Sequence, residues 1–161
     1  MIHIRAAGAL DAAAMAELLN AIIAQGGTTA LTTPVTRTDI LDWIARAPDL
    51  SAWHIAEDDS GTLLGFQWIA PHAKLPPQAA DIATFVGIGK TGLGTGSALF
   101  RATAQAARNL GYDWINATIR ADNTGGLAYY QSRGFEDYKT ETGVQLANGL
   151  RVDRVRKRFT L

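Results

Sequence analysis

The chain has 161 residues, 47% hydrophobic and 19% charged, which is ordinary composition for one globular domain with one sizeable core. Fifteen basic residues cancel fifteen acidic ones, a balance that excludes a polybasic nucleic-acid or membrane-surface binder. With no cysteine present, a disulfide scaffold, a thiolate metal site and a cysteine nucleophile are excluded as well.

The N-terminal stretch has no apolar run set between a basic segment and a cleavage site, and no window approaches the roughly 18 apolar residues of a membrane span. The expectation is a soluble, cytoplasmic single domain over residues 1–161. In chain order, Ile2–Arg5 reads as a short strand. Asp11 is placed to cap a helix whose Met15, Leu18, Leu19 and Ile22 recur at helical spacing, stopped at Gly26-Gly27. Thr36 to Asp39 has the form of a capping box opening a second helix through Ile40, Leu41 and Ile44, ended before Pro48. Ala52–Ala56 and Leu63–Ala70 read as a hairpin, and the proline-rich stretch Pro71–Ala80 as a loop.

Asp81–Val86 reads as a strand running into a glycine-rich loop. A long helix follows, with Leu99, Ala102, Ala106 and Leu110 as its buried stripe and Arg101, Gln105 and Arg108 outside. Gly111 stops it before a strand at Trp114–Ile119, a helix over about 123–133, and strands near Phe135–Thr142 and Arg151–Thr160. The order β-α-α-β-β-β-α-β-α-β-β is a mixed α/β (α+β) architecture, a partly antiparallel sheet of about seven strands flanked by four helices. Residues 1–80 carry four basic and eight acidic side chains, and residues 81–161 carry eleven and seven, so the second half is the one suited to an anion.

The loop Val86–Ser97 holds five glycines between a strand and a helix, where main-chain N–H groups and a helix N-terminus can hold phosphate oxygens. Gly89-Lys90-Thr91 mimics the end of a P-loop, but that motif needs a glycine where Thr84 stands. Gly87, Gly89 and Gly92 fit the dinucleotide fingerprint. That register, however, starts the helix near Gly92, buries Gly94 and Gly96 in its first turns, and finds no acid about 20 residues on. A third register runs Thr91-Gly92-Leu93-Gly94-Thr95-Gly96 into Ser97. It resembles the acyl-CoA pyrophosphate loop of the GNAT superfamily of N-acyltransferases, Q/R-x-x-G-x-G/A. Gly94 and Gly96 match, and Thr91 stands where Gln or Arg is usual.

A second segment, Asn123-Thr124-Gly125-Gly126-Leu127-Ala128-Tyr129-Tyr130-Gln131-Ser132-Arg133-Gly134-Phe135, resembles that family's N-x-x-A/S-x-x-x-Y-x-x-x-G-F. Asn123 and Tyr130 are seven apart, two helical turns, and Gly134 is placed to end the helix. The resemblance implies acetyl-CoA as cosubstrate, no metal, and attack of an amine on the thioester. Tyr130 is then the general acid, because a phenol of pKa about 10 can give its proton to a thiolate whose conjugate thiol has about 8.5. It also implies a main-chain donor at Phe85–Val86, and a pyrophosphate cradle of Thr91, Gly92, Leu93, Gly94, Thr95, Gly96 and Ser97, with Asn123 at the cofactor.

Asp81 stands where relatives resembling phosphinothricin acetyltransferases carry a glutamate, and is the candidate base; a solvated strand-start charge is the other reading. Leu19-Asn20-Ala21-Ile22 and Thr28 to Pro34 resemble the same branch, whose members act on free amino acids or their analogues, so Thr28–Thr33 would lie near the amine. Trp43 is expected in the core, and His72 is kept as an acceptor-site residue. Dimers are common in the group resembled, so a homodimer is open, with a small-molecule amine as partner and neither nucleic acid nor membrane. A non-catalytic acyl-CoA-binding module and, more distantly, a dinucleotide-binding protein stay as alternatives. The basic run Arg151–Phe159 suits either a charged sheet edge or a surface for an acidic partner.

Overall fold

The strands are β1 (His3–Ala6), β2 (Ala52–Glu57), β3 (Leu63–Ala70), β4 (Ala79–Val86), β5 (Trp114–Arg120), β6 (Glu136–Gln145) and β7 (Arg151–Thr160). The helices are α1 (Ala12–Gln25), α2 (Arg37–Ala45), α3 (Thr95–Leu110) and α4 (Thr124–Ser132), in a computed structural model that describes residues 1–161. All seven strands form one sheet in the order β1-β2-β3-β4-β5-β7-β6. Neighbours are antiparallel except β4 and β5, which are parallel and joined through α3. The element order is the one the sequence implies.

Each face of the sheet has its own core. Met15 and Leu19 of α1 and Ile40 of α2 pack on Trp53, Ile55 and Phe66. On the other face, Phe100, Ala104 and Ala107 of α3 pack with Ile69, Ile82, Ile115 and Ile119, and with Tyr130 and Phe135. Fully burying a side chain such as Phe66 contributes about 1.5–3 kcal/mol. The capping box at α2 forms as expected, with Thr36 Oγ1 accepting from Asp39 N–H at 3.0 Å and the Asp39 carboxylate accepting from Thr36 N–H at 2.8 Å.

Four local expectations change. Asp11 sits at the start of α1 but makes no side-chain cap; it ends a 3-10 turn, and its carboxylate accepts from Gly8 N–H at 2.7 Å and from the Arg5 guanidinium at 2.8 and 3.0 Å. The buried side of α3 is Leu99, Phe100, Thr103, Ala104 and Ala107, while Ala102, Ala106 and Leu110 are half-buried. Phe100 turns the helix, because its ring packs edge-on to Phe159 at 5.1 Å and against Phe135 at 5.4 Å. β4 begins at Ala79 rather than Asp81, since Ala79 and Ala80 already pair with Trp114 and Ile115. The basic run is no sheet edge: β7 lies between β5 and β6. The acidic partner is the next strand, where Glu141 takes Arg154 at 3.2 Å and Arg156 at 3.0 Å and Asp137 pairs with Lys157. Arg158 lies 4.5 Å over the Trp114 ring.

β3 and β4 leave no room for a side chain at Gly65, where a Cβ would fall 2.7 Å from the Phe85 carbonyl oxygen and 3.2 Å from Val86 Cα. Gly65→Ala forces these strands apart, and is expected to lower stability by about 1–3 kcal/mol. Gly125→Ala, helical and with no foreign atom nearer than 3.9 Å, is expected to be neutral or stabilising by up to about 1 kcal/mol. Urea midpoints of the two variants, with unchanged slope, check the contrast.

Candidate active site

The site starts from where the sheet opens. β4 stays paired with β3 as far as Val86, and β5 with β7 as far as Arg120. Yet β4 and β5 pair only over Ala79–Asp81 and Trp114–Asn116. Beyond Asp81 and Asn116 the two strands part and leave a slot through the sheet. The Gly87 N–H donates to the Leu64 carbonyl at 2.8 Å, which sets the phase of the antiparallel ladder. Thr84 and Val86 therefore turn their main-chain groups to the slot, whereas those of Phe85 pair with Phe66. Of the two main-chain donors expected here, the geometry thus supplies Val86, and Phe85 contributes its side chain.

A cavity of about 640 Å³ lies on the glycine-loop side of the slot and another of about 580 Å³ on the α1–α2 side. Thr28, Thr29, Thr84, Phe85, Asn123 and Tyr130 line both. In the first, Gly89, Gly92 and Gly94 have φ near +80°, the left-handed region that favours glycine. α3 begins at Thr95 behind Gly94, with no side-chain cap, so the N–H groups of its first turn are free to meet an anion. That start lies three residues beyond the one the dinucleotide register needs. Lys90 and Arg133 line this cavity and no carboxylate does. Arg133 also donates to Ser97 Oγ at 2.6 Å, tying α4 to the first turn of α3.

Gly96 answers to a different constraint: a Cβ there would fall 2.6 Å from Tyr129 Cε1. Thr91, Gly92, Gly94, Thr95, Gly96 and Ser97 all line the first cavity. Leu93 does not; its side chain is exposed.

Asn123 caps α4, its Oδ1 accepting from Gly126 N–H at 2.9 Å, and its Nδ2 donates to the Thr28 carbonyl at 3.1 Å. Arg120 donates to the Thr29 carbonyl at 3.2 Å. The 28–29 segment is thereby fastened across the junction of the two cavities. A methyl at Gly126 would meet Asn123 Nδ2 at 2.5 Å, which accounts for glycine where the motif usually has Ala or Ser.

Tyr130 projects from α4 into the slot, buried against Phe135, with its Oη 2.8 Å from Thr84 Oγ1. Burial raises its phenol well above the ordinary value, and pushes neighbouring Tyr129 up to about 12. Asp81 lines the second cavity from the opposite face. Burial lifts its carboxyl above the usual range, partly opposed by an Asn116 Nδ2 donor at 2.9 Å and by the nearby His72 and Arg156. The Asn116 Oδ1 in turn accepts from the Tyr138 hydroxyl. His72 lines this cavity as expected, and its Nδ1 accepts from Lys74 N–H at 3.0 Å. Trp43, expected in the core, is half-buried; it stacks at 5.8 Å on Trp68 and forms part of the cavity wall.

Four participants in particular escaped the sequence: Arg133, hidden as one more basic residue inside a motif; Trp68, one of two aromatics on β3; Thr84 on β4; and Gln67. Gln67 donates to Thr84 Oγ1 at 2.8 Å and to Tyr129 Oη at 3.1 Å. Alternation along β3 places it on the α3 face, but nothing in the spacing says that face is buried there.

The chain matches the Acetyltransferase (GNAT) family over residues 15–135. It is 26% identical over 145 residues to YwnH of Bacillus subtilis (strain 168), named provisionally as a phosphinothricin acetyltransferase, covering 89% of each chain. A crystal structure of a protein named in the same provisional way as a phosphinothricin N-acetyltransferase superposes with TM-score 0.87 at 25% identity, over 100% of this chain and 99% of that one. The phosphinothricin acetyltransferase of Sinorhizobium meliloti, solved in complex with AcCoA, shares the fold with TM-score 0.89 at 18% identity, over 99% and 88% of the two chains. With a glycine cradle on one side of a split sheet and a second cavity on the other, this chain belongs to the GNAT acetyltransferase family and is an acetyltransferase.

Proposed function

We propose that the chain moves an acetyl group from acetyl-CoA to the primary amine of a small molecule, a free amino acid or an analogue of one. The observation that carries this reading is the meeting of two cavities at one slot bordered by Tyr130 and Thr84. The first suits the polyphosphate end of acetyl-CoA: left-handed glycines, an uncapped helix N-terminus, Lys90 and Arg133. The second suits an amine that also carries an anion. Arg46, Lys74, Arg120, Arg154 and Arg156 line it against a single lining carboxylate, Asp81, with Arg120 paired to Asp122 and Arg154 and Arg156 paired to Glu141. Arg46 and Lys74 are the cations left to meet a ligand, which favours a carboxylate-bearing amine over polyamines and aminoglycosides. The names of YwnH and the Sinorhizobium meliloti protein point to the same acceptor class.

In this reading Asp81 takes a proton from the ammonium, directly or through water, and the freed amine attacks the thioester carbon. The Val86 N–H supports the oxygen on which charge gathers. As the C–N bond forms the C–S bond breaks, Tyr130 gives its proton to the departing sulfur, and the acylated nitrogen gives up its second proton to water to become the neutral amide. The raised ionisation of the two groups suits both tasks: a buried phenol stays protonated until needed, and a buried carboxylate is a stronger base than an exposed one.

Acetyl-CoA-dependent thiol release tests the reading against free amino acids, methionine sulfoximine and phosphinothricin, with polyamines, aminoglycosides and short peptides alongside. Release confined to amino acids and their analogues is expected. Tight acetyl-CoA binding with no release on any amine would instead mark a binding module. Tyr130→Phe is expected to lower kcat by about 10²–10⁴-fold while acetyl-CoA affinity, measured calorimetrically, stays at the wild-type value.

For Asp81 the sign follows from the raised carboxyl. The base works only when ionised, so kcat/KM rises with pH through an ionisation above the ordinary carboxylate range. Asp81→Asn is expected to abolish this limb and lower the rate by about 10²–10⁴-fold, leaving only the higher limb of the amine itself. A pH profile of kcat/KM for the two proteins checks it.

A further inference from the structure

Gln67 is fully buried in the middle of β3, and its Oε1 has no partner. A buried amide with half its capacity unused is a stability cost that a methionine of similar size would avoid. Its N–H groups account for it. Hydrogen bonds run Gly96 carbonyl, Tyr129 Oη, Gln67 Nε2, Thr84 Oγ1, Tyr130 Oη, at 2.7, 3.1, 2.8 and 2.8 Å in that order.

The directions of the first bonds in this chain follow from its first member. A carbonyl only accepts, so the single Tyr129 proton goes to Gly96. Tyr129 Oη must then accept from Gln67, which puts the amide nitrogen rather than the oxygen on that side. The second N–H of the same nitrogen goes to Thr84 Oγ1, where it fills one of the two acceptor positions of that oxygen and polarises its hydroxyl as a donor. Of the two directions open to the Thr84–Tyr130 contact this favours donation by Thr84, and in that direction the Tyr130 proton is the one in the chain with no protein acceptor.

We propose that Gln67 is a positioning residue: by favouring donation from Thr84 to Tyr130, it keeps the Tyr130 proton free for the departing sulfur. When that proton leaves Oη for the sulfur that has taken the C–S electron pair, the Thr84 hydroxyl is already donating to the tyrosinate. Tyr130 regains a proton from solvent through the cavity. Without Gln67 both acceptor positions of the Thr84 oxygen are open and its hydroxyl is no longer polarised, so acceptance from Tyr130 gains ground and the acid is turned away from its task. This rests on Tyr130 being the acid, and the test separates the two.

Gln67→Met leaves no new orphan, because Tyr129 keeps Gly96 and Thr84 keeps Tyr130. Its urea midpoint is expected to equal or exceed that of the wild type. Its kcat is expected to fall about 10- to 100-fold with the acetyl-CoA KM unchanged. In a Tyr130→Phe background the same change is expected to cost less than about twofold, since the phenol it orients is gone. Thr84→Val should reproduce the loss and Thr84→Ser should restore most of the rate, and this pair decides the matter if Gln67→Met does not fold. Wild-type kcat in Gln67→Met, a raised KM in place of a lowered kcat, or an equal loss in the Tyr130→Phe background would overturn the proposal. If Tyr130→Phe loses turnover and Gln67→Met does not, only the role of Gln67 falls. Full turnover in Tyr130→Phe removes the acid and this proposal together.

Discussion

The parting of β4 from β5 after Asp81 and Asn116 is the constraint on which the rest of the site depends. A strand that leaves its neighbour gives up main-chain hydrogen bonds, and each buried group left unpaired costs about 1–3 kcal/mol. Here the strands part without fraying, because each remains held along its other edge, β4 by β3 to Val86 and β5 by β7 to Arg120. The groups released are thus few and rigidly aimed. The Val86 N–H is one of them, held in place by the β3 ladder on either side.

The same opening solves a problem of sidedness. Side chains alternate along a strand, so Asp81 and Thr84 project from opposite faces of β4. In a closed sheet an acid carried by α4 and a base on the α1–α2 face would be separated by a layer of backbone. With the sheet split, Tyr130 and Asp81 border one opening. Each is served by an amide side chain from the strand beside β4: Asn116 of β5 donates to Asp81, and Gln67 of β3 reaches Tyr130 through Thr84. Both are buried enough that their ionised forms are disfavoured.

Local patterning made much of this legible. The capping box at Thr36, the glycine stop at Gly111, the order of strands and helices, and the pairing of a glycine loop with the Asn123–Phe135 segment all depend on short-range chemistry. What depended on tertiary neighbours did not show. The α3 stripe was placed on its alanines, whereas Phe100, meeting Phe135 just before β6 and Phe159 of β7, sets which side is buried most deeply. The basic run of β7 looked like an edge because its acidic partners lie on β6, and strand order is not written in strand composition. Gln67 was invisible for the same reason. A single glutamine among Phe66, Trp68 and Ile69 marks burial of an amide only when Thr84, Tyr129 and Tyr130 are seen to converge on it.

A glycine pattern compresses several physical demands into one letter, and this loop separates them. Gly89, Gly92 and Gly94 are glycine for their left-handed backbone, which shapes the cradle and aims the start of α3. Gly96 is glycine because Tyr129 occupies the space of its side chain, and its carbonyl anchors the hydrogen-bond chain that ends at Tyr130. The loop that suits phosphates and the group that suits proton transfer are therefore mechanically one unit, joined again by the Arg133–Ser97 bond. Two motifs some thirty residues apart in the chain are, in the folded protein, joined directly by the Tyr129–Gly96 and Arg133–Ser97 hydrogen bonds.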